Sequence, residues 1–391
     1  MFRNPIMAII NLNEDHIRKN DLILNRPLAT LPIAGRYRLI DFILSNITAA
    51  GITNVGIFAQ RKIRSLNDHI GDGSTWDLDR LVDGLYIFSN RYELNEKQAV
   101  GDIQNVFENI DFIERSNQEY ILVTNPYFIF TINFDEVLDA HISSQADITA
   151  LYKTVENADV DFYKSTVYNV NNGKISSIGK NMCSSKERNI SMGCYLLNRE
   201  KFLELMYSAI ETGQYNYLDN MLQSYMLESE CNLYRYNGFL KAVTDIKSYR
   251  EFNNALLNEN IGDEIFQNPN VQIYTKTKDE APTFFDSTSD VKNSIVASGC
   301  IIQGKVKNSI IARKVIIEKD AVVENSILLQ NTVIGEGAYI NNVITDKNVT
   351  IQEKKKLIGD INMPIIIKKG ETIWRYFLHL QKVKPLWRLE V

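Results

Sequence analysis

The chain is 391 residues long, 45% hydrophobic and 23% charged, with a formal net charge of −5. That length suggests two or three domains, and the mildly acidic balance argues against nucleic acid or an anionic membrane surface as the main partner. No apolar run approaches the ~20 residues of a membrane helix, and the start MFRNPIMAII runs straight into a core-like strand rather than a signal peptide, an expectation of a cytoplasmic protein.

Four cysteines, Cys183, Cys194, Cys231 and Cys300, are scattered without CxxC or metal spacing and read as reduced thiols. In chain order, apolar runs predict strands at 8–10, 54–58, 120–123, 148–152, 165–169 and 192–198. Helical spacing predicts helices at 39–50, 105–116, 135–143, 199–211 and 218–228. NNGK at 171–174 is a turn signal. The alternation is that of an α/β domain.

Past about residue 285 the texture changes. Helical periodicity stops, and apolar residues recur every six positions: Ile295 and Ile301; Ile310, Ile316 and Val322; Ile327 and Val333; Val343 and Val349. Asn-Ser-Ile returns at 293, 308 and 325, and Asn342-Val343-Ile344 continues the series. Steps of this size match one three-sided coil of hexapeptides, so a left-handed parallel β-helix is expected here. Such coils often carry acyltransferase chemistry with a histidine as base, yet no histidine lies between His141 and His379. The aromatic-rich end IWRYFLHLQKVKPLW is expected to pack on a neighbour or on its own domain. The division expected is 1–260 for the α/β domain, 261–285 for a linker and 286–391 for the β-helix with its tail.

GRYRLIDFILSNITAAGITNVGIFAQ (35–60), SLNDHIGDGSTWDL (65–78), VGDIQNVFENIDFI (100–113) and SMGCYLL (191–197) closely resemble the sugar-phosphate nucleotidyltransferase family, and within it glucose-1-phosphate adenylyltransferase. The resemblance covers nearly the whole chain and implies a Rossmann-type nucleotidyltransferase-like domain followed by the β-helix. Active members join a nucleoside triphosphate to a sugar 1-phosphate, which requires backbone N–H groups and a cation around the phosphates and carboxylates for Mg²⁺.

Carried over position by position, the resemblance implies that these parts are missing. The glycine-rich nucleotide turn falls on Asn13, Glu14, Asp15, His16, Ile17 and Arg18, where only the arginine survives. The lysine of the Arg-x-Lys-Pro segment falls on Leu28. The two magnesium carboxylates fall on Tyr127 and Ala242; Asp245 lies nearby but is expected to point elsewhere. The Glu-Lys-Pro motif of the sugar-phosphate pocket falls on Lys180, Asn181 and Met182, its lysine at Asn181. Ser191, Met192, Gly193 and Tyr195 keep the following motif, Asp219 matches a later aspartate, and Gln104 stands at a nucleotide-side position.

The expectation is therefore a regulatory, non-catalytic type of subunit that binds no cofactor itself, Mg²⁺ and ATP belonging to a catalytic partner subunit in a hetero- or homotetramer. The family's sugar-phosphate effectors make Arg36, Arg38, Arg61 and Arg64 candidate effector contacts. Lys354, Lys355 and Lys356 read as a solvated basic face. A weakly active transferase using Glu14, Asp15 or Asp21 as improvised metal ligands is the alternative.

Overall fold

The computed structural model describes residues 4–374, apart from 15–16, 18–20, 25, 61, 90–100, 157, 159–161, 172 and 183–186. Contacts divide the chain into two compact units, the first ending at Asp279 and the second beginning at Glu280. Among the described residues, no helix is long and apolar enough to cross a membrane.

The first unit is built on a nine-stranded sheet. Its centre is β1 (Ile6–Leu12), all seven residues of which are buried. Alternation along the strand sends Ile6, Ala8, Ile10 and Leu12 into one hydrophobic core and Met7 and Ile9 into the other. A strand buried on both faces reads as a continuous apolar run, which is why IMAIINL was legible.

Parallel to β1 lie β2 (Asn54–Ala59) on one side and, on the other, the strand Tyr120–Thr124; β3 (Gly84–Ser89) extends the parallel set beyond β2. Numbering onward, Tyr120–Thr124 is β4, followed by β5 (Ile148–Val155), β6 (Thr166–Asn171), β7 (Lys174–Lys180), β8 (Arg188–Asn198) and β9 (Cys231–Arg235). The antiparallel β8 pairs with β4, β5 and β6. The ends of β1, β2 and β4 face the loops around β1, where the sheet's connections change direction, the usual ligand crevice of an open parallel sheet.

The helices are α1 (Leu39–Ala49), α2 (Arg64–Ile70), α3 (Asp102–Glu108), α4 (Asp111–Glu114), α5 (Phe134–Ser144), α6 (Arg199–Thr212), α7 (Leu218–Glu228), α8 (Ile246–Ala255) and α9 (Glu259–Phe266). The single helix expected over 105–116 is two: Asn109 leaves helical geometry at φ −120° and ends α3. After α9 an extended run buries Val271, Ile273 and Thr275, with Tyr274 N donating to Ser45 Oγ of α1 at 2.9 Å.

The second unit stacks short parallel strands in three sheets of six, five and five, the three sides of a left-handed β-helix. Phe284–Phe285 already forms the first strand of one side. The returning Asn293, Asn308, Asn325 and Asn342 all take φ between +43° and +53°, a corner conformation that asparagine tolerates. Ser294, Ser309 and Ser326 donate to the carbonyls of Lys292, Lys307 and Glu324. Each serine then accepts an N–H from the next coil, Ser309, Ser326 and Val343, at 3.1 Å in all three cases. The six-residue period holds, and on two of the sides the core residue is the second of each apolar pair. Ile302, Ile317, Val323 and Ile334 fill the core while Ile301, Ile316, Val322 and Val333 keep partial exposure, because adjacent strand residues point to opposite faces.

Candidate functional site

The loop after β1 and the turn after β4, at the ends of these two parallel strands, carry several of the positions singled out in the sequence. The loop after β1 carries Asn13, Glu14 and Ile17; Asp15, His16 and Arg18 lie outside the described residues. Glu14 accepts the backbone N–H of Leu28, and its own carbonyl accepts from Ile17 N at 3.0 Å. The carboxylate therefore caps the short helix Leu28–Thr30 rather than projecting toward a ligand. Leu28 itself is buried in the hydrophobic interior, and the preceding Arg26 donates through Nε to Leu22 O at 2.7 Å. An anion approaching this turn meets a carboxylate and an apolar side chain where a cation would be needed.

Tyr127 and Ala242 lie at one two-stranded ladder but are not cross-strand partners: Ala242 stands opposite Phe128, and Tyr127 opposite Val243. Phe128–Ile129 pairs antiparallel with Lys241–Ala242, and Val243 N donates to Tyr127 O at 2.8 Å. Both residues are buried, at 2% and 3% exposure. The fold thus holds at one ladder, a residue out of register with each other, the two positions where the resemblance calls for metal carboxylates, and fills them with a phenol and a methyl group. These residues do not fit a magnesium ion, which takes carboxylate and water oxygens. Among the described residues no group of three or more histidine, cysteine, aspartate or glutamate side chains could hold a metal. The nearby Asp245 is spent as the N-cap of α8, accepting from Ser248 N at 2.8 Å.

Asn181 is buried, and its Nδ2 donates to the carbonyls of Ala158 and Phe162. That amide ties a loop of the domain together and does not face a ligand space. Lys180 is exposed and donates to Thr166 Oγ1 at 2.9 Å.

The retained motif has a structural reason to persist. Between Ser191 and Tyr195 the pairing of β8 with β5 shifts register, a bulge centred on Gly193 at φ +62°. Ser191 Oγ lies 2.7 Å from Tyr168 OH and accepts from Gly193 N at 3.2 Å. Tyr195 OH accepts from Gln223 at 3.3 Å, and burial raises both tyrosines well above the ordinary phenol range. Met192 is buried in the core. Burial also pushes the thiols of Cys194 and Cys231 up to about 12, which rules them out as nucleophiles at neutral pH. Cys183 lies outside the described residues.

Asp102 was passed over in the sequence. Its Oδ2 accepts from Asn11 Nδ2 at 2.7 Å and Asn13 Nδ2 at 2.9 Å, and its Oδ1 accepts from Leu218 N at 2.6 Å. One buried carboxylate thereby links the end of β1, the start of α3 and the start of α7. An acid inside the apolar run V-G-D-I was the available signal. Asp219, the next residue of α7, is exposed by area, yet its carboxyl is surrounded by protein. Desolvation first, and then the charge of Asp102, push it up to about 6, against the pull of Lys180. Gln104 is exposed and hydrogen-bonds Glu108 at 3.1 Å.

The arginines of the best-matched motif divide into two kinds. Arg36 is exposed, with its guanidinium 5.0 Å from the centre of the Tyr37 ring. Arg38 precedes α1 and donates through Nη1 to Thr30 O at 3.0 Å, while its backbone N–H donates to Asp41. Arg64 is exposed at the start of α2, which Ser65 Oγ joins to Thr30 Oγ1 at 2.7 Å. Arg61 lies outside the described residues. On the β-helix, Lys355 donates to Trp374 O and Lys356 lies over Tyr339, so two of the three lysines are engaged.

The nucleotidyl transferase family profile matches residues 21–259, and a GlmU-like C-terminal hexapeptide profile matches residues 281–362. The chain is 32% identical to the glycogen biosynthesis protein GlgD of Bacillus subtilis over 370 residues, 95% of this chain and 97% of that one. It is 33% identical to the glycogen biosynthesis protein GlgD of Geobacillus stearothermophilus, covering 82% and 83% of the two chains. It is 32% identical to a glucose-1-phosphate adenylyltransferase of Clostridium acetobutylicum, covering 83% and 86%.

Proposed function

Because the chain belongs to the nucleotidyl transferase family and is similar along nearly its whole length to glycogen biosynthesis proteins, we propose that it is a regulatory-type subunit in glycogen biosynthesis. In this reading it serves glucose-1-phosphate adenylyltransferase, which converts ATP and glucose 1-phosphate to ADP-glucose and diphosphate, and has little or no activity of its own.

The observation that carries the reading is the burial of Tyr127 and Ala242 at one short ladder, the two positions where the resemblance implies metal carboxylates. Nucleotidyl transfer brings two anions together, and its protein contribution is largely charge stabilisation and positioning by metal and cations. A phenol, a methyl group and the buried Leu28 supply none of that charge. The framework around them is intact, including the bulge at Gly193 and the Asp102 link, which suits a subunit kept for its fold rather than for the transfer step.

The partner in this reading is a catalytic homologue in a cytoplasmic tetramer, with Arg36 and Arg64 free to meet a sugar-phosphate or nucleotide effector. Regulation then requires that this subunit favour one state of the assembly over another. The test is diphosphate release from ATP, glucose 1-phosphate and Mg²⁺ by this protein, by a catalytic homologue, and by their mixture. Silence alone with an altered rate or effector response in the mixture is the expected result. Substantial turnover by this protein alone would overturn the reading.

A further inference from the structure

A second recess lies at the other end of the sheet, beside the start of β4 rather than its end. It is a cavity of about 460 Å³, walled by Tyr120, the last turn of α5, Asp147 and the first turn of α6. That volume is within the range of small-molecule sites, about 300–1,000 Å³.

Its floor is His141, which is 5% exposed. The imidazole stands edge-on to the Tyr120 ring, with centroids 5.5 Å apart at 87°, and its Nδ1 lies 2.8 Å from Thr149 Oγ1. Its Nε2 has no hydrogen-bonding partner among the described residues, and the ring lines the cavity. Burial lowers the pKa of this histidine, with Asp147 opposing, so the ring is neutral at physiological pH.

The rim is acidic. Lys201 is paired with Glu204 at 2.5 Å, and one oxygen of Asp147 accepts the Glu230 N–H at 3.2 Å. Among the described residues the Glu200 carboxylate has no hydrogen-bonding partner, and neither does the second oxygen of Asp147. Three carboxylates, Asp147, Glu200 and Glu204, thus stand against one lysine beside a neutral imidazole and an aromatic ring. That combination repels phosphates and suits a positively charged nitrogen, which gains charge-assisted hydrogen bonds and an aromatic flank.

We propose that this cavity binds a small organic cation carrying an amine or guanidinium group, with Glu200 and Asp147 holding its charge and His141 its remaining hydrogen bond. The site is independent of the nucleotide crevice and of the reading given above.

The test is calorimetric titration of the full chain with L-arginine and with spermidine, against sodium chloride at matched ionic strength. The expected result is saturable one-site binding of at least one cation and none for sodium. Glu200→Gln and Asp147→Asn should each weaken it about tenfold, the scale of one charge-assisted contact. Glu200 is exposed and Asp147→Asn retains an acceptor for Glu230, so both variants keep the fold. Glu228→Gln, exposed on α7 and outside the cavity, should bind like the parent. Heats that never saturate, or equal affinity in Glu200→Gln and Glu228→Gln, would overturn the proposal.

Discussion

Gly193 lies so close to Asn125 that a Cβ built on the glycine would stand 2.1 Å from Asn125 Nδ2. Asn125 in turn accepts from Tyr127 N at 3.0 Å, so the bulge of β8 supports the turn that carries Tyr127. Gly193→Ala should cost about 2–4 kcal/mol, combining a left-handed backbone penalty with displacement of Asn125. Gly213→Ala, at a similar φ of +63° with nothing nearby, should cost only about 1 kcal/mol. Urea unfolding of the two variants separates backbone conformation from close approach.

The loss of both implied metal carboxylates, at Tyr127 and Ala242, predicts that restoring them gains metal binding. Tyr127→Asp/Ala242→Asp should be less stable than the parent, because two carboxylates would be buried at sites that now hold a phenol and a methyl group. Millimolar MgCl2 should raise its melting temperature, since a ligand of the folded state stabilises it. The parent should not respond. An equal rise in both would show that the parent's metal site lies elsewhere.

Arg36 and Arg38 should separate experimentally despite their proximity. Arg38→Ala removes the hydrogen bond to Thr30 O and should cost about 1 kcal/mol of stability. Arg36→Ala, at an exposed side chain, should change stability by less than about 0.5 kcal/mol. If Arg36 contacts an anionic effector, only its variant should lose effector-induced stabilisation while melting normally without effector.

His69 gives a pH signature. Its Nε2 lies 2.5 Å from Asp41 Oδ1, deep beside Trp76. Burial holds its pKa below 6.5, although Asp41 pulls the other way. The unfolded chain therefore binds a proton that the folded chain resists, and stability falls as pH drops below about 6.5, levelling off below the folded value. The penalty of His69→Gln should accordingly be smaller at about pH 5.5 than at about pH 7.5. A penalty that grew on acidification would mean that the folded histidine is protonated by Asp41.

In the second unit, Ser309→Ala should cost about 1–3 kcal/mol, because it leaves the N–H of Ser326 buried without an acceptor. Ser294→Ala, on the more open first coil, should cost less. Equal losses, measured by urea unfolding, would show that the serines act only through their own turns.

The architecture was legible where composition and burial coincide. IMAIINL is apolar on both faces, and the Asn-Ser-Ile returns mark coil corners directly. The edge strand GLYIFS and the exposed β7 were harder, since neither alternates cleanly between apolar and polar. Which isoleucine of an adjacent pair faces the core, as in Ile301 and Ile302, is not legible, because the two are equivalent in composition and differ only in facing. At the crevice, the pairing of Phe128 with Ala242, which brings Tyr127 and Ala242 to one ladder, is a long-range contact that no local pattern encodes. Asn181 and Asp102 show the same limit: a polar residue announces that it needs partners, and only the fold says which.

The serines of the β-helix also act as a ruler. Where they occur, at 294, 309 and 326, each hydroxyl must meet the N–H of the coil above, so coil length is held near one value. At Val343 the hydroxyl is absent, and its strand partner Ile365 lies 22 residues on, beyond a protruding segment with Ile361 and Met363 exposed. Between the serines the coil takes 15 or 17 residues, and past the last serine it takes 22. Insertions of more than two residues are therefore expected to fit in the protruding segment 359–364 and to disrupt the coils between 294 and 326, unless they come as a complete coil.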